Sequence, residues 1–147
     1  MLQTTSNQRE ITSDEYFTPP EVIQKHINGL DPNASFIDNN AGIGNWLVEL
    51  LEWKMQNGID RDTALTQLYG IELNIDTCLI MVKRLYGENI KVLTGDDIPK
   101  YMNATGVEAV FEIDGRIIEQ IVCANCLTYP YTFGEPEVFG NGLFEIA

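Results

Sequence analysis

FIDNNAGIGNW, residues 36–46, decides how the chain is read. The short apolar run Ser35–Asp38 reads as a buried strand, and Trp46, Leu47, Leu50 and Leu51 beyond it repeat at helical spacing. Between them lie an aspartate, two asparagines and the turn Gly42-x-Gly44. A strand that gives way to a helix through a glycine turn opens a parallel β-α-β unit, because a parallel neighbour can be reached only by a crossover. In open α/β sheets ligands settle at the carboxyl ends of the strands, and glycines in the first turn let a ligand approach the backbone. By itself this Gly-x-Gly is a weak signal, since it lacks the third glycine of the dinucleotide fingerprint.

The flanking sequence extends the same alternation. Upstream, Thr18 followed by Pro19, Pro20 and Glu21 predicts a helix start with a hydroxyl cap, and Val22, Ile23, Ile27 and Leu30 give that helix an apolar face. Downstream, a helix over 45–55 stops at Asn57-Gly58, and a short helix over 60–66 leads into a strand over 67–72. A further helix over 75–86 ends at Gly87. Strands alternating with helices imply parallel pairing through right-handed crossovers. After Gly87 the pattern predicts a brief strand over 90–93 and a turn at Gly95-Asp96-Asp97. A hairpin follows, with arms 108–113 and 116–123 joined by Asp114-Gly115. The Gly-, Pro- and aromatic-rich stretch from Leu127 reads as ordered loop with little regular structure. Residues 1–13 read as a flexible polar tail, and 14–147 as a single domain.

Composition narrows the function. The 147 residues carry a net charge of −13, and beyond Lys100 the only basic residue is Arg116. Tight duplex binding rests on Lys and Arg neutralising phosphates, so this chain alone is a poor candidate for tight, nonspecific duplex binding. No apolar run approaches the roughly 18 residues of a membrane span, and the amino-terminal residues lack a signal-peptide pattern. A soluble cytoplasmic protein with no membrane association is expected. Cys123-x-x-Cys126 is formally a metal or redox spacing, but a zinc site needs two more ligands. Only Cys78 and the single His26 remain, in different predicted helices, so buried free thiols and no metal are expected. Trp46 and Trp53 read as core or helix-face residues, and His26 as a surface or boundary one.

A second element is LYGIEL, residues 68–73, which places Glu72 at the end of the next parallel strand. A carboxylate there can accept both vicinal hydroxyls of a ribose. Together, DEYFTPPEVIQKHI (14–27), FIDNNAGIGNWLVELLE (36–52) and LYGIELNIDTCLIMVKRL (68–85) resemble, in this order, the beginning of an adenine-specific DNA methyltransferase of the class I type, dependent on S-adenosylmethionine. The resemblance covers residues 14–86, with a weaker continuation to 134. It implies an α/β, Rossmann-like open sheet in three layers, with an incomplete strand set and a C-terminal β-hairpin. It also implies that Tyr16, Phe17, Thr18 and Pro19 lie by the methionine end of the cofactor and that the loop of Asp38, Asn40, Ala41, Gly42 and Gly44 wraps the same end. Glu72 would hold the ribose. Two candidates compete for the adenine ring: Asp96-Asp97, and Asn125, which fits better as a polar side chain ending a buried strand.

The sequence departs from that family in two places. Asn39 and Asn40 stand where the family carries proline and a small residue. The catalytic tetrapeptide, Asp or Asn followed by two prolines and an aromatic that stacks on the flipped base, has no counterpart here. A reduced or truncated member is therefore expected, with catalytic residues unassigned. One reading is a restriction-modification type enzyme that reaches DNA only through a basic partner subunit, as a homo-oligomer or half of a split enzyme. The other is a non-catalytic module that binds S-adenosylmethionine or a related nucleoside, or acts through protein contacts.

Overall fold

The computed structural model describes residues 19–129 and the backbone of the strands at 136–139 and 143–146. The tail expected over residues 1–13, and Tyr16, Phe17 and Thr18, lie outside the described residues. Helix α1 (Pro20–Ile27) opens on a proline, whose fixed φ suits the first turn and whose absent N–H is one that turn leaves unbonded anyway. Pro19, not Thr18, is the cap: its backbone is extended, with ψ 141°, because a residue preceding proline is steered away from the helical region. The helix therefore starts one residue later than the sequence pattern suggested.

Strand β1 (Ser35–Asp38) leads through the glycine turn into α2 (Asn45–Gln56), and α3 (Arg61–Thr66) follows, its first turn capped by the Asp60 side chain, which accepts from the Thr63 N–H. Strand β2 (Leu68–Glu72) and α4 (Ile75–Tyr86) complete the alternation, with Asn74 capping α4 through the Thr77 N–H and Gly87 ending it at φ +99°. Then come β3 (Ile90–Thr94), two single 3-10 turns at Gly95–Asp97 and Lys100–Met102, β4 (Val107–Ile113) and β5 (Arg116–Ala124). Asp114 and Gly115 both take positive φ, +50° and +80°, as a tight hairpin matched to strand twist requires.

The sheet is open, in the order β3-β4-β5-β2-β1-β7-β6. Strands β1, β2 and β5 run parallel at its heart, and every other pairing is antiparallel. The stretch expected to be irregular contains β6 (Pro136–Phe139) and β7 (Leu143–Ile146), which pair with each other, while β7 also pairs with β1. Four-residue strands between glycines and prolines carry too little alternation to read locally; the ladder offered by β1 supplies what propensity does not.

One sheet face, through Phe36, Leu68, Phe111 and Ile121, packs against residues of all four α-helices. The other face, through Ile37, Ile71, Val110 and Val122, meets Ile98 and Met102 of the segment holding the 3-10 turns. Among the described residues the expected three layers are thus two and a thin cover. The reason is topological: β3, β4 and β5 follow one another as an antiparallel meander, which needs no crossover helix. Gly70 lets the helices close on the sheet, since a Cβ there would lie 2.9 Å from Leu47 Cδ1 and 3.2 Å from Met81 Sδ.

Lys54 is fully buried. Its ammonium donates to the Pro32 and Ala34 carbonyls at 2.6 and 2.5 Å and to Gln67 Oε1 at 2.8 Å, and lies 5.2 Å from the centre of the Phe36 ring. A buried cation survives only with such partners. Lys54 thereby ties the segments that enter β1 and β2 to α2.

Candidate functional site

The three parallel strands end in a staircase. Asp38 is opposite Gly70, and Glu72 is opposite Cys123. Strand β2 therefore continues two residues past β1, about 6.6 Å at the usual rise, and β5 one residue past β2, with Asn125 immediately beyond its end. Asp38, Glu72 and Asn125 sit on successive steps at the carboxyl edge of β1, β2 and β5. Asp96 and Asp97 follow β3, which is separated from β2 by β4 and β5, so of the two candidate segments it is Asn125 whose strand adjoins that of Glu72.

Asp38 is 2% exposed. One carboxylate oxygen accepts the Asn40 N–H at 3.1 Å, and the other has no hydrogen-bond partner among the described residues. Burial pushes its pKa from 3.8 up to about 7; the Asn40 N–H opposes the rise and the charge of Glu72 adds to it. The loop that follows is fixed to β2. Ala41 donates its N–H to the Ile71 carbonyl at 3.0 Å, and Gly42 donates its N–H to Glu72 Oε1 at 2.9 Å. The other Glu72 oxygen accepts the Asn74 N–H at 3.0 Å, so one half-buried carboxylate fastens the β1–α2 and β2–α4 turns together.

Gly42 and Gly44 have φ of +58° and +86°, in the left-handed region that other residues seldom occupy. Gly44 also rests on α4: a Cβ there would fall 2.7 Å from Met81 Cγ. One turn further along α4, Arg84 donates from Nη1 to the Ile43 carbonyl at 2.8 Å and to Asn45 Oδ1 at 2.7 Å. Behind the loop, α1 docks on α2 through Gln24 to Glu49 at 3.0 Å and through His26, whose ring meets Trp46 edge-on at 5.2 Å. Trp46 is buried, as expected of a core residue.

Asn125 is half-buried. Its Oδ1 accepts the Leu127 N–H at 2.9 Å, and its backbone carbonyl accepts from the Thr128 and Tyr129 N–H groups, which closes a tight turn after β5. Cys78 and Cys123 are buried and Cys126 half-buried, all three as free thiols. The Cys123 thiol donates to the Leu73 carbonyl at 3.2 Å, and its contact with Cys78, together with burial, pushes the Cys78 thiol pKa up. Among the described residues no cluster could hold a metal, and no helix is long and apolar enough to cross a membrane.

Pro19 stands at the start of α1, and the other described candidates, Asp38, Asn40, Ala41, Gly42, Gly44, Glu72 and Asn125, lie in or beside one edge of the sheet. Sequence reasoning missed Arg84 and Lys54. Lys54 follows Leu47, Leu50 and Leu51 at helical spacing, so its place on the buried face was detectable; Arg84, in the last turn of α4, carries only the ordinary signature of a helix-end cation. A cavity of about 490 Å³ opens at the far end of the sheet, between Arg61, Tyr86, Asp114 and Arg116, and shares no residue with this constellation.

No curated protein and no solved structure is matched by the chain. A family model of N-6 DNA methylases matches residues 1–112, a span that includes the glycine loop, Glu72 and Arg84. On that match, over most of its length, the chain belongs to the N-6 DNA methylase family.

Proposed function

We propose that the carboxyl edge of β1, β2 and β5 binds S-adenosylmethionine in a Rossmann-like arrangement, and that the chain acts in methyl transfer to the adenine amino group of DNA. The observation that carries this reading is Asp38: a buried carboxylate with one oxygen unpartnered among the described residues, one step below Glu72 on the same edge. An orphaned buried acceptor is costly unless a donor arrives. The α-ammonium of a methionine moiety is such a donor. Glu72 already accepts two N–H groups, but a carboxylate offers about four lone-pair positions, so two remain for the ribose hydroxyls. Asn125, its Oδ1 engaged by Leu127, keeps its amide N–H groups for the acceptor nitrogens of the adenine ring. Leu73 and Leu127, 62% and 89% exposed beside these two residues, offer apolar walls to a purine.

When bound, the cofactor supplies an electrophilic methyl group on its sulfonium. The chain's own residues orient it: Asp38 and the glycine loop hold the amino-acid end, and Glu72 holds the ribose. Tyr16 and Phe17 are proposed to face the sulfonium, whose charge favours an aromatic face. With a net charge of −13 the chain does not grip DNA itself, so a basic partner subunit brings the adenine.

The absence of an Asp/Asn-Pro-Pro-aromatic run favours a second reading, a cofactor-binding module that does not itself transfer the methyl group. Calorimetric titration with S-adenosylmethionine, on the parent and on Glu72→Ala, tests both. No heat from the parent sinks the cofactor site. Binding lost in the variant, with no methyl incorporated into adenine of any DNA offered, leaves the module reading in place.

A further inference from the structure

The β1–α2 loop is where the candidate site is least able to shape itself. It turns twice at glycines held at positive φ, and glycine gives up the most backbone freedom on being fixed. Three of its fastenings come from the sheet: Asn40 to Asp38, Ala41 to the Ile71 carbonyl, and Gly42 to Glu72. Two of those use the carboxylates that a ligand would also engage. Arg84 comes from the opposite side. It grips the carbonyl of Ile43, between the two glycines, and Asn45 at the helix start, while Met81 of the same helix lies under Gly44. Glu49 of α2 adds its negative charge beside the guanidinium, and burial of that guanidinium lowers its pKa.

We infer that Arg84 is a positioning residue for the cofactor: by holding the Ile43 carbonyl and Asn45, it keeps the glycine turn in its binding shape and leaves Asp38 and Glu72 to the ligand. This rests on the cofactor reading above. A loop fixed in advance spends less ordering on binding, so the clamp acts on affinity without touching the ligand.

The test uses the full chain and S-adenosylmethionine as the probe. Calorimetric titration is run on the parent, Arg84→Met, Arg84→Lys and Arg61→Met. Arg61 is the control arginine: it donates to the Leu85 carbonyl in the same last turn of α4, but among the described residues it has no hydrogen bond to the glycine loop. Amide exchange of residues 42–46 is followed without ligand. Arg84→Met should bind about tenfold more weakly, because the loop it no longer holds must be ordered when the ligand binds. Its loop amides should exchange faster while core amides hold, Arg84→Lys should recover most of the affinity, and Arg61→Met should match the parent. Equal affinity in Arg84→Met and the parent overturns the inference and leaves the cofactor site standing. Loss of affinity in Arg61→Met as well assigns the effect to general destabilisation and overturns it too. A parent that does not bind overturns the cofactor reading and this inference with it. Should Arg84→Met fail to fold, Asn45→Ala removes half the clamp, and unchanged affinity there is the overturning result.

Discussion

Glu72, at the end of β2, accepts the backbone N–H of Gly42 across the sheet edge at 2.9 Å, while its second oxygen accepts the N–H of Asn74. Both oxygens are acceptors of backbone donors, a role an amide fills only once. In Glu72→Gln one of the two N–H groups would meet another donor. The expected loss is about 1–2 kcal/mol of stability, at the lower end for charged acceptors because the site is half-exposed. Urea titration should show a lower midpoint at unchanged slope, and S-adenosylmethionine binding should fall with it.

Gly44→Ala strains the loop in two ways. Its φ of +86° costs a side chain about 1–2 kcal/mol. The new Cβ also meets Met81 Cγ at 2.7 Å in a packed interior, a clash of about 1–3 kcal/mol that a methionine can partly relieve. The combined cost should be about 2–5 kcal/mol. In a double-mutant cycle with Met81→Ala the packing share should be returned and the backbone share should persist.

Lys54→Met keeps the stem and removes the ammonium, leaving the Pro32 and Ala34 carbonyls and Gln67 Oε1 without this donor. A drop of about 3 kcal/mol is expected, since buried acceptors bear their full desolvation penalty when a charged donor is withdrawn. Hydrogen exchange should loosen first at β1 and β2.

Asp38 gives stability a pH dependence of fixed sign. Its folded pKa, about 7, lies above the ordinary 3.8, so the folded chain holds this proton more tightly than the unfolded chain. Stability is greatest while both states are protonated and falls as pH rises from about 4 to about 7. The rise corresponds to roughly 4 kcal/mol at most. Urea midpoints of the parent minus those of Asp38→Asn should decline across that window and be flat above it. A flat difference throughout would show that Asp38 ionises as an ordinary carboxylate.

Much of this architecture is written locally. The four helices have periodic apolar faces, Asp60 and Asn74 cap where such side chains should, and Asp114-Gly115 marks its own hairpin. The ends of β1 and β2, with Asp38 and Glu72, follow from the same strand-turn-helix pattern. What the sequence does not carry is whom each strand meets. That β5 lies beside β2 depends on β3 and β4 turning back as a meander. The strands β6 and β7 exist through pairing with each other and with a strand roughly a hundred residues earlier, a relation invisible to any local window. Arg84 was hidden for another reason: a cation on a helix is usually a solvated one, and only the Ile43 carbonyl and Asn45 distinguish it, whereas Lys54 shares the helical spacing of its buried neighbours.

Met81 links two positions that look unrelated along the chain. Its Sδ lies 3.2 Å from where a β-carbon on Gly70 would stand, and its Cγ lies 2.7 Å from the corresponding point on Gly44. One side chain thus fills the space that two glycines vacate, one in a central strand and one in the ligand loop. The order in which substitutions can accumulate follows from this. A smaller residue in place of Met81 would have to come before any side chain at Gly44, but that exchange frees neither glycine by itself: Gly44 keeps its φ of +86°, and a Cβ on Gly70 would still lie 2.9 Å from Leu47 Cδ1. Descendants with Met81 are bound to Gly44 and Gly70 together, so the three should be inherited as a unit.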